Sequence, residues 1–196
     1  MKKSYLYLSI FSFLGILIAL YMAFLYAPTE RTMGMVQRIF YFHVPSAWVS
    51  FIAFGVVCVA SIMFLRTGAV KWDTLAKSSA EVGILFLTLV LITGPLWAKP
   101  VWNVYWTWDA RLTTSFILWL IYIAYLMLRS YVADQERGAR FAAVFGIIGF
   151  IDVPIVYLSI RWWRTLHPSP VIGGGSGSGL APEMLQTLLE IGRAHV

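Results

Sequence analysis

Apolar residues fall in five long blocks separated by short polar breaks, at about residues 5–26, 44–65, 79–97, 111–129 and 141–160. A helix rises 1.5 Å per residue, so about 20 apolar residues cross a hydrocarbon core of about 30 Å. Each block predicts one such crossing, with 111–129 barely long enough. The first block follows Lys2 and Lys3, as the core of a signal peptide would. It exceeds the ~7–15 apolar residues of such a core and no A-x-A site follows, so it reads as a retained helix with its N-terminus inside. Pro45 sits in the first turn of the second block, where proline is tolerated, and Arg66 closes that block. Gly94 and Pro95 are read as ending the third, and Pro154 as kinking the fifth beside Asp152.

Beyond Ile160 the chain leaves the membrane through Arg161-Trp162-Trp163-Arg164 and crosses a flexible glycine-serine stretch at 173–179. A further helix opens at Ala181-Pro182-Glu183-Met184 and runs out too soon to span. The last seven residues, Glu190-Ile191-Gly192-Arg193-Ala194-His195-Val196, read like a translated sequencing adapter, and His195 is given no functional weight. The expected fold class is thus an all-α integral membrane protein. It is a bundle of five transmembrane helices plus the start of a truncated sixth, one domain over 1–189 with a non-native tail at 190–196.

Composition agrees. Sixty per cent of residues are hydrophobic and 12% charged, with a mean hydropathy of +0.76, against about 45–50% and ~25% in soluble domains. This excludes a soluble enzyme, a disordered chain and a secreted disulfide scaffold. The net charge of +6 does not indicate nucleic acid, because the Lys and Arg residues stand singly between apolar runs, as they do beside membrane helices. Cys58, the single cysteine, allows no intrachain disulfide, and no C-x-x-C-H for covalent haem is present.

With the N-terminus inside, eight cations fall in inner segments and six outside: Arg31, Arg38, Lys99, Arg111, Arg161 and Arg164. That is a weak positive-inside bias, and an anionic ligand is one reason for the outer six. Six of the nine tryptophans also lie at outer helix ends. An aromatic interfacial belt accounts for one or two at each end. It accounts less well for Trp102-Asn103-Val104-Tyr105-Trp106-Thr107-Trp108-Asp109, which lies on the bilayer surface or walls a pocket for a flat apolar ligand.

Two histidines stand at the ends of blocks on this side: His43 just before the second and His167 just after the fifth, where Pro168 marks a boundary. A histidine at a helix end is commonly a structural hydrogen bonder. Two imidazoles with an aromatic wall at one face also suit a haem, with axial nitrogens for iron and apolar surface for the macrocycle. Arg38, Arg111, Arg161 or Arg164 would hold propionates by bidentate contacts. A zinc site is poorly supported by two histidines without further cysteine. Glu81 and Asp152 are the acidic residues in or near the spans. A structural role is favoured for Glu81, and a kink role for Asp152 over a proton relay. The spans lack the polar residues of a permease path.

The run from Trp102 to Asp109, followed by Ala110-Arg111-Leu112-Thr113, resembles the tryptophan-rich WWD signature of the cytochrome c assembly family of haem-handling proteins. Tyr41-Phe42-His43-Val44-Pro45-Ser46-Ala47-Trp48 and Trp162-Trp163-Arg164-Thr165-Leu166-His167-Pro168 resemble that family's CcmC haem-delivery branch, with three motifs in the same order over nearly the whole chain. The usual pattern has Gly after the first Trp and paired Trp further on. Here Asn103 and Tyr105 stand in those places, so an altered turn and a preserved aromatic wall are expected.

The resemblance implies a six-helix protein that binds non-covalent haem b through two axial ligands, His43 and His167. The loop over 97–112, centred on Trp102, Trp106, Trp108 and Asp109, would touch the haem edge, with Arg38, Arg111 and Arg164 nearby. It implies a multi-pass protein of the bacterial cytoplasmic (inner) membrane, N-terminus cytoplasmic and haem site periplasmic. It further implies transfer of haem to a periplasmic haem chaperone, CcmE, assisted by ABC-type transporter subunits and a small membrane subunit. No catalytic motif and no P-loop are seen. The rival readings are a membrane bis-His haem electron-transfer subunit and a permease with an aromatic gate. The longer synthase-type relatives have more helices than this chain allows.

Overall fold

The structure is a computed structural model. It describes residues 2–31, 33–132, 134–164, 166–167 and 182–194. The glycine-serine stretch at 173–179, Pro168 and the last two residues lie outside the described residues.

Seven α-helices are present among the described residues: α1 Lys2–Tyr21, α2 Phe40–Thr67, α3 Val70–Trp102, α4 Ala110–Tyr131, α5 Gln135–Phe150, α6 Asp152–Trp162 and α7 Pro182–Ala194. A π-helical turn, Met22–Tyr26, extends α1, and a 3₁₀ segment, Met35–Ile39, leads into α2. Five stretches are long and apolar enough to cross a membrane: Ser4–Tyr26, Met35–Thr67, Val70–Trp102, Ala110–Tyr131 and Gln135–Trp162. The protein is therefore an all-α integral membrane protein with five spanning helices, as its apolar blocks predict.

The helix ends move from their expected places. Helix α2 begins at Phe40, so His43 lies in its first turn and Pro45 lies inside it. Helix α3 does not stop at Gly94-Pro95 but continues through Pro95 and Pro100 to Trp102. In an apolar helix, neighbouring groups re-satisfy the carbonyl that each proline frees. The same helix starts at Val70, because Lys71, Asp73 and Lys77 interrupt its apolarity without interrupting its hydrogen bonds. The fifth span breaks at Ile151, whose N–H reaches back to the Ile148 carbonyl at 3.1 Å. Asp152 opens α6 there, and Pro154 lies in its first turn.

The chain forms two compact units. The first comprises Met1–Ser46, Thr93–Tyr105 and Ser169–Val196, and the second Ala47–Ile92 and Trp106–Pro168. In the first unit, α7 packs on α1 and the π turn, burying Met184, Thr187, Leu188 and Ile191. Tyr26 Oη donates to Gln186 Oε1 at 3.3 Å.

The second unit holds the larger core: Phe54, Val57 and Ala60 of α2, Ala76, Ala80, Ile84 and Leu87 of α3, Leu118, Tyr122 and Tyr125 of α4, Ala142 of α5, and Val153 and Val156 of α6. Phe54 stacks on Tyr122 with ring centroids 3.7 Å apart and planes 10° apart. Glycines make this close packing possible, since a Cβ on Gly83 would lie 2.4 Å from Phe54 Cε1 and one on Gly149 2.6 Å from Ile121 Cγ2. Gly68 ends α2 in the left-handed region (φ +67°), its N–H bonded to the Phe64 carbonyl at 2.8 Å, so that only Gly68 and Ala69 separate α2 from α3. Near that turn, Arg129 of α4 grips Asp73 of α3 through two parallel 2.5 Å contacts.

Candidate functional site

In the second unit, the loop after Tyr105 and the first turns of α4 build an aromatic wall. Trp106 and Trp108 meet edge to face at 5.7 Å, and each meets Phe116 the same way at 6.2 and 6.5 Å. Phe116 in turn stacks on Trp119, one helical turn further along α4, with planes 12° apart. Across from these rings lie Thr88, Leu91 and Ile92, which share a face of α3 by their i, i+3, i+4 spacing. Together the seven residues line an open hollow of about 400 Å³.

Its few polar atoms divide into two kinds. Trp119 Nε1 donates to Thr88 Oγ1 at 2.8 Å, and that hydroxyl donates onward to the Ile84 carbonyl at 2.8 Å. Trp106 Nε1 is buried with no partner among the described residues. A buried N–H without an acceptor costs about 1–3 kcal/mol; the exposed lining of the hollow is otherwise apolar and aromatic, so it suits a flat apolar occupant.

Asp109 shapes the entry to this wall. One of its oxygens accepts from Leu112 N at 3.1 Å and caps α4; the other accepts from Thr107 Oγ1 at 3.0 Å. A carboxylate at a helix N-terminus satisfies an orphan N–H and favours the helix dipole. Arg111, in the first turn of α4, donates through Nη1 to the carbonyls of Val156 (2.7 Å) and Tyr157 (3.3 Å) on α6. Helix α6 then ends at Trp162; Trp162, Trp163 and Arg164 are exposed, and His167 is half-buried. Asp152 Oδ2 is buried without a partner among the described residues. Glu81 pairs with Lys77 at 3.9 Å on an exposed face.

The remaining expected site residues lie in the first unit. His43 Nδ1 is 2.9 Å from Thr93 Oγ1. A Cβ on Gly94 would stand 3.4 Å from His43 Cε1, so the ring lies against the α3 backbone. Trp102 packs edge to face on Trp97 at 4.8 Å. Asn103 takes φ +61°, and Lys99 Nζ holds both its carbonyl and its side-chain oxygen at 3.1 Å. Asn103 thus adopts the left-handed conformation for which the family pattern's glycine is suited, because asparagine tolerates that region better than other side chains. Lys99 Nζ also stands 5.3 Å from the Tyr105 ring centroid, so Tyr105 serves the loop as an aromatic. Arg38 Nη1 donates to the Ala23 carbonyl at 2.8 Å and to that of Phe24, both within the π turn.

The structure therefore brings Trp106 and Trp108 together with Phe116, Trp119 and Thr88, which sequence reasoning missed. The i, i+3 pair Phe116–Trp119, one turn into a helix that follows two tryptophans, was the available signal. Thr93 was missed as well, since nothing in its sequence position marks it as the partner of a residue fifty positions earlier.

The family described as CcmC, heme exporter protein C, matches residues 1–195. The chain belongs to this family. A heme exporter protein C of Bradyrhizobium diazoefficiens is 40% identical over 168 residues, covering 83% of this chain and 62% of the relative. A putative cytochrome c biosynthesis ccmC-like mitochondrial protein of Marchantia polymorpha is 39% identical over 154 residues, 78% of this chain and 65% of the relative. The heme exporter protein C of Escherichia coli K12 is 33% identical over 142 residues, 72% and 58%. The matched region spans roughly three-fifths of the length of these CcmC relatives.

Proposed function

We propose that this CcmC-family chain binds haem at the periplasmic face of a bacterial inner membrane and delivers it onward for cytochrome c assembly, without itself catalysing a reaction. The observation that carries the reading is the aromatic hollow over Trp106, Trp108, Phe116 and Trp119. Relatives are named for haem export and cytochrome c biosynthesis, and the aromatic loop falls within the matched region.

Haem is the cargo. His43 and His167 supply axial nitrogens, the haem is held non-covalently as a b-type group because the chain carries no C-x-x-C-H, and Trp102, Trp106 and Trp108 cover one face. Asp109 fixes the loop by capping α4. The exposed Arg164 is suited to a propionate, whereas Arg38 and Arg111, whose Nη1 atoms are taken by backbone carbonyls, serve the fold beside it. The physical problem is a transfer: two nitrogens fix the iron, while a wall made of a single loop leaves one edge of the ring open. The acceptor is a periplasmic haem chaperone, CcmE, and ABC-type transporter subunits with a small membrane subunit assist its release.

Absorbance of the purified protein titrated with haemin tests this reading. His43→Ala and His167→Ala should each lower haem occupancy and abolish the low-spin spectrum. Trp106→Ala should impair handover at least as much as binding. Unchanged spectra in both histidine variants refute the ligation. Reversible reduction by a quinol at a catalytic rate would establish an electron-transfer subunit instead.

A further inference from the structure

We propose that Thr93 is the positioning residue that sets which nitrogen of His43 meets the haem iron and how tightly, an inference that rests on the haem reading above. Thr93 Oγ1 lies 2.9 Å from His43 Nδ1. The next residue, Gly94, leaves the backbone of α3 against the ring's Cε1. The imidazole is thus held at Nδ1 by a residue of a helix far from it in sequence, and the missing side chain at Gly94 leaves room for its Cε1.

The direction of the hydrogen bond follows from proton counting. A neutral imidazole carries one N–H. If Nε2 gives its lone pair to iron, the proton resides on Nδ1, and Nδ1–H donates to Thr93 Oγ1. The hydroxyl can accept while passing its own proton to a helix carbonyl. A carboxylate in this place would push the ring toward imidazolate and strengthen the bond to iron. A neutral hydroxyl orients the ring without that push. Such a partner suits a ligand that must hold its cargo and then release it.

The test uses the full chain in detergent, titrated with haemin, for the unchanged protein and for Thr93→Val, Thr93→Ser and His43→Ala. Affinity, the low-spin fraction by electron paramagnetic resonance, and the rate of haem loss to apomyoglobin are measured. Losing an outer-sphere partner typically costs 10–100-fold in metal affinity. T93V, which keeps the shape of the side chain, should therefore bind about tenfold more weakly, lose haem faster and show a smaller low-spin fraction. T93S, which keeps the hydroxyl, should match the unchanged protein. If T93V is unchanged while H43A loses low-spin haem, the positioning role is overturned and the haem reading stands. If T93S loses as much as T93V, the hydroxyl is not the agent and the proposal fails. If H43A is itself unchanged, the ligand assignment falls and this inference with it.

Discussion

Replacing Arg111 by methionine separates two roles for one guanidinium. Arg111 Nη1 donates to the Val156 carbonyl at 2.7 Å and to that of Tyr157 at 3.3 Å, tying the start of α4 to the helix that leads to His167. A hydrogen bond from a charged donor contributes about 1.5–3 kcal/mol. The longer contact adds little, and the Val156 carbonyl keeps the Ser159 hydroxyl at 2.8 Å, so no buried acceptor is orphaned. Methionine fills most of the vacated volume. The expected loss for R111M is therefore about 2 kcal/mol, read by equilibrium unfolding in bicelles. A second assay compares haemin with its dimethyl ester, which lacks the propionate charges. If Arg111 serves α6, R111M weakens both ligands alike and the preference between them is unchanged. If it grips a propionate instead, R111M erases the preference for haemin and leaves unfolding untouched. That second pattern would refute the reasoning.

The Asp73–Arg129 pair, with side chains only 17% and 14% exposed, lies over Tyr125. Asp73→Asn should cost about 3 kcal/mol by leaving the guanidinium uncompensated. The double variant D73L/R129M should recover most of that loss in the same unfolding assay, and additive losses would count against an ion pair. Asn103→Val should cost about 1–2 kcal/mol, because a β-branched residue resists the left-handed region, whereas Asn103→Gly should be neutral or slightly stabilising. Equal effects of the two would deny the conformational account. Gly83→Ala should destabilise by about 1–3 kcal/mol, since the added Cβ collides with Phe54 and disturbs its stack on Tyr122. Combining it with Phe54→Leu should recover part of the loss, and no recovery would place the strain elsewhere.

The five spans were legible because a membrane helix is an unbroken apolar block, and block length alone decides it. Helix ends were less legible. Proline stops a helix in water, where a freed carbonyl finds solvent and the chain can turn away; in α3 the helix runs on through Pro95 and Pro100. The start of α3 was hidden for the opposite reason, since Lys71, Asp73 and Lys77 look like a loop but lie on helix. At Asn103 the turn takes a left-handed φ, and Lys99 holds it. Of the aromatic site, Trp106 and Trp108 stood out as too many rings for one loop. Leu91, Ile92 and Phe116 did not, because in lipid an apolar side chain facing a pocket has the same signature as one facing the bilayer.

The cations that the sequence reading places outside carry a further lesson about polar groups in an apolar solvent. Their number suggested an anionic ligand, and three of them are engaged by the chain's own oxygens. Arg38 takes up carbonyls of the π turn itself, where the ordinary i→i+4 ladder is interrupted. Lys99 holds Asn103, and Arg111 holds α6 just beyond the break at Ile151. Arg38 and Lys99 sit where the helix pattern is irregular, and in hydrocarbon an unsatisfied backbone group costs several kcal/mol. These cations therefore cover the chain's own backbone oxygens, and their number is no measure of an anionic ligand. Arg31, Arg161 and Arg164 are exposed. Among these, Arg164 lies three residues before His167 and one after the exposed Trp163, so a carboxylate-bearing ligand held by His167 would meet its charge first.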